Sequence, residues 1–414
     1  MSELDAHPGV RLRALMRGRS PHELHRAATP LELFFDLVFV VAIAQAASEL
    51  HHAIADGRAL EGLVGYAMVF FAIWLAWLNF TWFASAYDTD DVPYRLAVFV
   101  QMGGALLLAA GVPAMFETRT PNLAVIGGYV VMRVVIVAQW LRVAANDPER
   151  RITAIRYASG TAIVQTAWVS TLLLPSFSIP VFLVLAVVDL AVPAWAERAA
   201  ATPWHPRHIA ERYGLLTLIV LGESILSANM TVQSALGSGE AVAPLAGLIV
   251  GGLLTVCSMW WIYFDRPVHD LLTSLRRAFV WGYGHYFVFG AVAAVGAGLA
   301  VNVDVATGHA KIGSLGAGLA VAVPVAVYLL VLWVLHDRPE YRRTRIYGPV
   351  AAVLVLLSPL TGHAVPVIGA ILAALVAVKT VSGLRSSVSG LRSTVVSVSA
   401  VRVVRNRDQP GGVR

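Results

Sequence analysis

Residues 29–45, TPLELFFDLVFVVAIAQ, place two carboxylates at the head of an otherwise apolar run. An α-helix turns by about 100° per residue, so Glu32 and Asp36, four residues apart, lie on the same face. The rest of the run is apolar enough for the hydrocarbon core of a bilayer. The stretch therefore predicts a membrane helix with charge on one face, and the remaining helices have to accommodate that charge.

The whole chain has the composition of a membrane protein. Of its 414 residues, 57% are hydrophobic and only 14% are charged, and its mean hydropathy is +0.70. Apolar runs of about 17 to 25 residues, each able to cross roughly 30 Å of hydrocarbon as a helix, recur along it. The single cysteine, Cys257, excludes an intrachain disulfide and any site built from several thiolates. The sequence predicts an all-α polytopic membrane protein without a cofactor.

Twelve transmembrane helices can be placed on these runs. Their predicted bounds are 31–54, 62–86, 94–116, 122–143, 152–174, 178–197, 208–235, 243–264, 276–301, 312–335, 345–360 and 363–380. The last two are short, so they are compatible with either two spans or a re-entrant pair.

The basic residues predict the orientation. If the amino terminus is cytoplasmic, 27 of the 31 Lys and Arg residues fall in cytoplasmic segments and three in outer loops, while Arg133 lies within a helix. Short cytoplasmic loops carry an excess of Lys and Arg. Both termini are therefore predicted to be cytoplasmic, with residues 55–61, 117–121 and 302–311 outside. The first 28 residues lack the apolar segment and cleavage site of a signal peptide.

The chain contains an internal repeat. Residues 211–224, ERYGLLTLIVLGES, begin the seventh helix with a glutamate before an apolar run, as Glu32 does in the first helix. Glu211 follows Glu32 by 179 residues. An aromatic run followed by an aspartate, Asp88 or Asp265, closes the second and the eighth helix. Because six is an even number, two six-helix repeats would be parallel. The predicted organisation is a basic segment 1–28, a first repeat 29–198, a linker 199–207, a second repeat 208–380 and a basic tail 381–414.

Two blocks carry a resemblance to a known family. The sequence ELFFDLVF at residues 32–39, and ERYGLLT with LGES between residues 211 and 224, are similar to the bacterial low temperature requirement protein A family. The resemblance extends over residues 25 to 380. It implies a multi-pass protein of the bacterial cytoplasmic (inner) membrane and a link to stress adaptation, and it implies no particular reaction.

The two acids of the first helix differ in their expected roles. Thr29, Pro30 and Glu32 fit the N-cap, N1 and N3 positions, so Glu32 is expected to close a capping box, with a functional role as the alternative. Asp36 lies one turn deeper and cannot cap the helix. It therefore needs a charged partner or a wet cavity.

Further charges are central to the predicted spans. Glu223 follows Glu211 by twelve residues, about 18 Å along the seventh helix, which places it near mid-bilayer. Arg133 and Asp189 are central to the fourth and sixth helices. Arg133 is expected to pair with Asp36 or Glu223 where the two repeats meet, either as a structural ion pair or as part of a transport site. The acids outnumber the arginine, so at least one must bind a proton or a cation, or face water.

Other polar positions carry weaker signals. Asn79 and His285 are candidates inside predicted spans, although such residues more often form interhelical hydrogen bonds than bind a ligand. The spacing of His205, His208 and Glu211 could put three metal ligands on one flank of a helix. The neighbouring proline and arginines instead indicate a solvated helix start, so no metal site is predicted.

These features favour a proton- or cation-linked transporter or channel. The alternatives are an intramembrane enzyme acting on a lipid-like substrate, and a membrane scaffold or stress-adaptation protein. No catalytic residue is predicted, because no phosphate loop, nucleophile elbow or zinc motif is present. The expected partners are the lipid bilayer and an unspecified small solute or cation, with a second copy of the chain as a further candidate and no nucleic acid.

Overall fold

A computed structural model describes residues 12–20, 23, 26–118, 122–174, 178–237, 242–266, 268–336 and 346–382. Within these ranges the chain forms α-helices, brief 3₁₀ turns and connecting loops, and it contains no β-strand. The all-α prediction is confirmed. The predicted basic tail, from residue 383 onward, lies outside the described residues.

The helices match the predicted number and order. They are α1 Pro30–Ala55, α2 Ala59–Tyr87, α3 Val92–Thr118, α4 Leu123–Asn146, α5 Arg151–Ser170, α6 Ile179–Ala196, α7 Pro206–Gly237, α8 Val242–Phe264, α9 Leu275–Ala306, α10 Ser314–His336, α11 Tyr347–Leu357 and α12 Ala364–Ser382. The ends lie within a few residues of the predicted ones.

Ten of these helices are long and apolar enough to cross a membrane, rather than twelve. The exceptions within the described ranges are α5 and α11. Helix α5 begins at Arg151 and also carries Arg156, so it lacks a sufficiently apolar window. Helix α11 has 11 residues, about 16 Å of helix, which is too short for the hydrocarbon core. Of the two short final helices, only α12 can therefore span by itself.

Helix α1 begins with the predicted capping box. The Thr29 hydroxyl accepts a hydrogen bond from the Glu32 N–H, and the Thr29 N–H donates to Glu32 Oε2 at 2.7 Å. Pro30 occupies the first helical position, where its missing N–H costs nothing. The cap holds one carboxylate oxygen of Glu32 at the start of the helix, which leaves Oε1 to face the neighbouring helix.

Three long helices cross the centre of the bundle in a common direction. Helix α1 packs against α7 and α9 as well as α2 and α3. The starts of α1 and α7 meet at Glu32 and His208, whereas the ends of α1 and α9 meet at His51 and Asp304, whose Nε2 and Oδ2 atoms are 2.6 Å apart. Two parallel repeats would place their first helices in this way, but the repeat itself stays a prediction.

The segment before α1 lies across one end of the bundle. We call residues 12–20, 23 and 26–28 the N-terminal strap, and the end of the bundle that it covers the N-side. Met16 is buried, and its N–H donates to Asn146 Oδ1 at 3.1 Å. The guanidinium of Arg26 donates to carbonyl groups in the last turn of α2. The Glu23 carbonyl oxygen lies 3.0 Å from His205 Nε2. The strap therefore joins α2, α4 and the start of α7.

Candidate functional site

Four ionisable side chains meet between α1 and α7, close to the N-side. They are Glu32, Asp36, His208 and Arg212, none of them more than 1% exposed, and we call them the central charge cluster. Arg212 Nη2 lies 2.6 Å from Asp36 Oδ1, and Arg212 Nη1 lies 3.8 Å from Glu32 Oε1. His208 Nε2 lies 3.2 Å from the same Glu32 oxygen, and its hydrogen-bond geometry is satisfied with the other oxygen, Oε2, at 3.3 Å. The arginine therefore bridges both carboxylates, and the histidine contacts one of them.

Helical periodicity builds this arrangement from both sides. Glu32 and Asp36 are four residues apart on α1, and His208 and Arg212 are four residues apart on α7. Residues at this spacing lie on the same face, one turn above each other. Because the two helices run in the same direction, the first residues of each pair meet, and so do the second. The cluster is a two-rung ladder between parallel helices.

Helix α2 closes the cluster from the side. Trp77 Nε1 donates a hydrogen bond of 2.7 Å to Asp36 Oδ1, and the Thr81 hydroxyl lies 3.4 Å from Arg212 Nη2. Trp77 and Thr81 are again four residues apart. The Arg212 guanidinium also lies over the ring of Phe80, 5.9 Å from its centroid. Three helices therefore fix the guanidinium beside Asp36.

The cluster has unequal numbers of opposite charges. Two carboxylates face one guanidinium, and His208 supplies a second positive charge only when it carries a proton on both ring nitrogens. Several buried atoms of the cluster have no hydrogen-bond partner among the described residues: Glu32 Oε1, Asp36 Oδ2, His208 Nδ1, and Arg212 Nε and Nη1. Buried polar atoms normally have partners. Here, several donors and acceptors without such partners lie together where α1 packs against α7.

Arg133 lies elsewhere, and its predicted partner was wrong. It forms an ion pair with Asp189 that joins α4 to α6, and both residues are 2% exposed. Tyr129 Oη accepts from Arg133 at 2.9 Å, and Trp168 Nε1 donates to Asp189 at 3.2 Å. Asp36 is already bound by Arg212. The Arg133 pair is therefore confined to α4–α6 and lies apart from the joint between α1 and α7.

The two acids of α7 remain outside the cluster. Glu211 is exposed, and its Oε1 accepts a hydrogen bond of 3.3 Å from the Ala28 N–H of the strap. Glu223 is half-buried in the middle of α7, and among the described residues it forms no hydrogen bond or ion pair. With Asp36 and Asp189 each bound to an arginine, Glu223 is the central acid that lacks a counter-charge in the described part of the chain.

Asn79 and His285 both use their side chains in hydrogen bonds. The Asn79 amide donates to the Leu75 carbonyl oxygen within α2 at 2.9 Å, so the expected interhelical bond is not formed by this group. His285 Nδ1 lies 2.7 Å from the Trp281 carbonyl oxygen, and its Nε2 lies 3.0 Å from the Tyr263 hydroxyl. The second contact joins α9 to α8 as expected. Both ring nitrogens are occupied, as in a neutral imidazole that donates once and accepts once.

Two members of the cluster were missed from the sequence. The sequence pattern does not single out Arg212, which is one of the 27 Lys and Arg residues in predicted cytoplasmic segments, and it presents His208 only as a candidate metal ligand. The sequence does contain a signal for these two residues. His208 follows Glu32 by 176 residues, and Arg212 follows Asp36 by the same number. No group of three or more potential metal ligands is found in the described ranges.

An acid outside the spans, next to the strap, has a raised pKa. Asp88 follows the last residue of α2, and burial, together with the nearby Glu32 carboxylate, raises the pKa of Asp88 to about 6. Arg26 and Arg19 of the strap oppose that shift. Asp91, close by, also loses solvent, but hydrogen bonds from Arg142 and from the Ala14 and Tyr94 N–H groups keep its pKa below the usual range. Asp88 therefore loses its proton at a higher pH than an ordinary aspartate does, and Asp91 loses its proton at a lower pH.

Together, the apolar helices and the ionisable groups buried between them define a multi-pass integral membrane protein. The chain belongs to the bacterial low temperature requirement A protein family, whose family model matches residues 27–382. A protein of Rhizobium meliloti (strain 1021), described only as uncharacterized, is 28% identical over 279 residues, which are 63% of this chain and 66% of that protein. The match thus covers just under two thirds of the relative. No solved structure matches the chain.

Proposed function

We propose that the protein is a proton- or cation-linked transporter or channel, and that the central charge cluster is the group that binds and releases the coupled ion. One observation carries the proposal: two fully buried carboxylates share one guanidinium, next to a histidine. Histidine is the side chain whose charge ordinarily changes near neutral pH. A purely structural pair needs neither the second acid nor the histidine.

The charge of the cluster depends on one proton. With Glu32, Asp36 and Arg212 ionised, a neutral His208 leaves a net charge of −1, and a proton shared by His208 and Glu32 brings the net charge to zero. A net charge buried among membrane helices is expensive. The deprotonated cluster therefore favours entry of a proton or a small cation, and release requires that water or a counter-charge reach the cluster from the other side.

The position of the cluster suits a transport cycle. It lies where α1 meets α7, the first helices of the two predicted repeats, and parallel repeats in transporters rock against one another around a site at their interface. The N-terminal strap covers the N-side next to it. Movement of α7 against α1 would lengthen the ladder contacts and expose the same groups to the other side.

Flux measurements test this function. The purified protein is reconstituted in vesicles with a trapped pH indicator, and a proton gradient is imposed with and without a gradient of sodium or potassium. We expect flux above that of protein-free vesicles, and we expect the charge-neutral variant Asp36→Asn to reduce it by at least about tenfold. Asp189→Asn is the matched control, since it also removes a buried acid beside an arginine.

Each outcome bears on the proposal. Loss of flux in Asp36→Asn with flux retained in folded Asp189→Asn supports it. Absence of proton and cation flux from the folded wild-type protein under every gradient contradicts it, and would favour the scaffold alternative. Equal loss of flux in both folded variants would show that burial of charge in general, and not this cluster, supports activity.

For the membrane topology, we propose a bacterial cytoplasmic membrane location with the N-side facing the cytoplasm. The support is the distribution of Lys and Arg between the connecting segments. In a Cys257→Ser background, a cysteine introduced at Thr307 should react with an impermeant reagent added from outside intact cells. Protection of that cysteine, with reaction of one introduced at the exposed N-side residue Glu149, would reverse the orientation.

A further inference from the structure

We propose that a cavity on the side of the bundle opposite the N-side binds a phospholipid from the membrane. The cavity has a volume of about 310 Å³. It lies where the ends of α1 and α3 meet the starts of α2 and α6, and we call it the helix-end cavity. The site lies apart from the central charge cluster and does not depend on the proposed transport function. Its polar residues are Arg58 and Glu61, and its apolar residues include Val64, Gly65, Met68 and Phe116.

The helix-end cavity changes from polar to apolar along α2, as a bilayer does from headgroup to chain. Arg58 directly precedes α2, and Glu61 lies in its first turn. Met68, in the apolar part, lies about 10 Å further along the helix than Glu61. Leu60 and Ile179 also line the cavity, and they are 75% and 51% exposed. Because α2 and α6 are long and apolar enough to span a membrane, these exposed side chains face lipid.

Arg58 supplies a positive charge that its loop does not neutralise. Asp56 faces two cations: Lys311 Nζ lies 2.9 Å from its Oδ1, and Arg58 Nη2 lies 3.3 Å from its Oδ2. Within the described residues, Arg58 Nε and Nη1 form no hydrogen bond. The side chain is 49% exposed, so these donors are accessible at the membrane surface. Arginine binds phosphate oxygens through such N–H groups, and a phosphate would balance the surplus charge.

Glu61 restricts the kind of headgroup without excluding a phosphate. It has a partner within the protein, but an ionised carboxylate has about four acceptor sites. An ammonium or hydroxyl group next to the phosphate can therefore donate to Glu61 as well. Ethanolamine and glycerol headgroups both carry such a donor. A fatty acid has a carboxylate for Arg58 but no donor for Glu61.

The apolar part of the cavity has room for the acyl chains to begin. A water-sized group needs about 10–15 Å³ of such space, so the cavity holds on the order of twenty heavy atoms, more than a glycerophosphate headgroup contains. Gly65 keeps this part open, since a Cβ atom there would lie 3.3 Å from the Phe116 ring. Met68 and Met115 also line a second cavity of about 60 Å³. Methionine side chains adapt to irregular neighbours, so chain carbons can pack against them.

Other occupants fit the helix-end cavity less well. A soluble phosphate compound would leave the apolar walls without a partner. Diacylglycerol would fill the apolar part but leave the charge of Arg58 unbalanced. A metal cation would be repelled by that guanidinium. A phospholipid satisfies both the charged and the apolar part.

Lipid titrations followed by native mass spectrometry test the site. The full-length protein is delipidated in detergent and titrated separately with phosphatidylethanolamine, phosphatidylglycerol and diacylglycerol that carry the same chains. We expect both phospholipids to bind at least about tenfold more tightly than diacylglycerol, because only they offer a phosphate to Arg58. Glycerophosphoethanolamine, which has the headgroup but no chains, should not bind at the same concentrations.

Two variants address the two parts of the cavity. Arg58→Gln should remove the preference for phospholipids over diacylglycerol. Gly65→Leu should fill the apolar part and weaken the binding of all three lipids several-fold. Arg207→Gln is the matched control, because it makes the same change of charge at an exposed N-side residue outside the cavity. It should leave the preference unchanged.

Three results would overturn the proposal. Equal affinity for phospholipids and diacylglycerol, or no binding of any of them, would show that phosphate is not recognised. A preference that persists in folded Arg58→Gln would place the phosphate elsewhere on the protein. Binding of glycerophosphoethanolamine as tight as that of the lipids would indicate a site for soluble phosphates.

The test remains decisive if one variant is unstable, and it is separate from transport. Arg58 is half exposed, so Arg58→Gln should fold, and it decides the matter alone if Gly65→Leu does not fold. Proton and cation flux do not enter these measurements. Failure of the lipid site would therefore leave the transport proposal standing, and the reverse is also true.

Discussion

The Arg133–Asp189 pair and the central charge cluster are equally buried, yet they are built differently. Arg133 faces one carboxylate, and Tyr129 and Trp168 add neutral hydrogen bonds around the pair. Arg212 faces two carboxylates and a histidine. The first group joins α4 to α6 within one predicted repeat, whereas the second joins α1 to α7 across the two.

The comparison distinguishes a buried ion pair that only stabilises the fold from a buried cluster whose net charge can change. A matched pair gains little from losing or gaining a proton, because either change leaves a buried ion alone. The central charge cluster can accept a proton and thereby reach neutrality. If this distinction is correct, equivalent substitutions in both groups should impair folding, but only those in the central charge cluster should impair flux once folding is restored.

The largest expected effect is that of Arg212→Leu. It leaves Glu32 and Asp36 without their shared counter-charge, and breaking a buried pair in this way costs about 3–5 kcal/mol. We expect a large loss of folded protein, measured by size-exclusion chromatography and by thermal unfolding in detergent. Adding Asp36→Asn should restore part of the yield and none of the flux. Recovery of both would assign a structural role to the cluster.

Arg133→Leu should destabilise the protein somewhat less. Its removal strands the single acid Asp189, and the half-exposed Trp168 can still donate to that acid. The double variant Arg133→Leu with Asp189→Leu removes both charges and should recover most of the stability, since apolar replacements of buried pairs are often well tolerated. Flux should recover too. Thermal unfolding and the vesicle assay on the same preparations give both readouts, and a stable but inactive double variant would contradict the assignment.

Two tryptophans allow a finer test. Trp77→Phe removes the 2.7 Å hydrogen bond to Asp36, and Trp168→Phe removes the 3.2 Å bond to Asp189. A hydrogen bond to a charged group contributes roughly 1.5–3 kcal/mol, so each change should be measurable in thermal unfolding. Trp77→Phe should have the larger effect, because Trp77 is buried and its bond is shorter. It should also shift the pH dependence of flux, which Trp168→Phe should leave in place.

The smallest effect concerns the N-side acids. Because the pKa of Asp88 is raised from 3.8 to about 6 on folding, its contribution to stability is fully present below about pH 4 and is lost as the pH rises through 6. Asp88→Asn should therefore flatten the thermal stability profile between these values. Asp91→Asn is the control: a lowered pKa affects stability only at more acidic pH, so the slope should persist. An unchanged slope in Asp88→Asn would contradict the shift.

Much of the fold was predictable because lipid imposes a simple rule. Backbone groups in hydrocarbon must bond within their own helix, so apolar runs mark helices directly, and all twelve were found. Thr29 and Glu32 predicted the capping box because it is local in sequence. Ten rather than twelve of the helices are long and apolar enough to span by themselves, because α11 is short and α5 carries Arg151 and Arg156.

The partners of the buried charges were not predictable in the same way. An ion pair depends on which helices become neighbours, and the sequence contains that information only indirectly. Arg133 is the basic residue at the centre of a predicted span, which favoured a partner across the repeat interface. Arg212 lies near the start of the predicted seventh helix, and the orientation count groups it with the cytoplasmic basic residues. Comparing the repeats at an offset of 176 residues would have aligned Arg212 with Asp36.

The N-terminal strap has a consequence for how the chain is made. Its contacts with α2 and α4 use residues that leave the ribosome early, but those with His205 and Glu211 use the start of α7, synthesised roughly 180 residues later. Glu32 and Asp36 likewise wait for His208 and Arg212. During synthesis the first six helices thus carry two acids that lack their partners, and the arrival of α7 completes the ion pairs and the N-side closure in a single step.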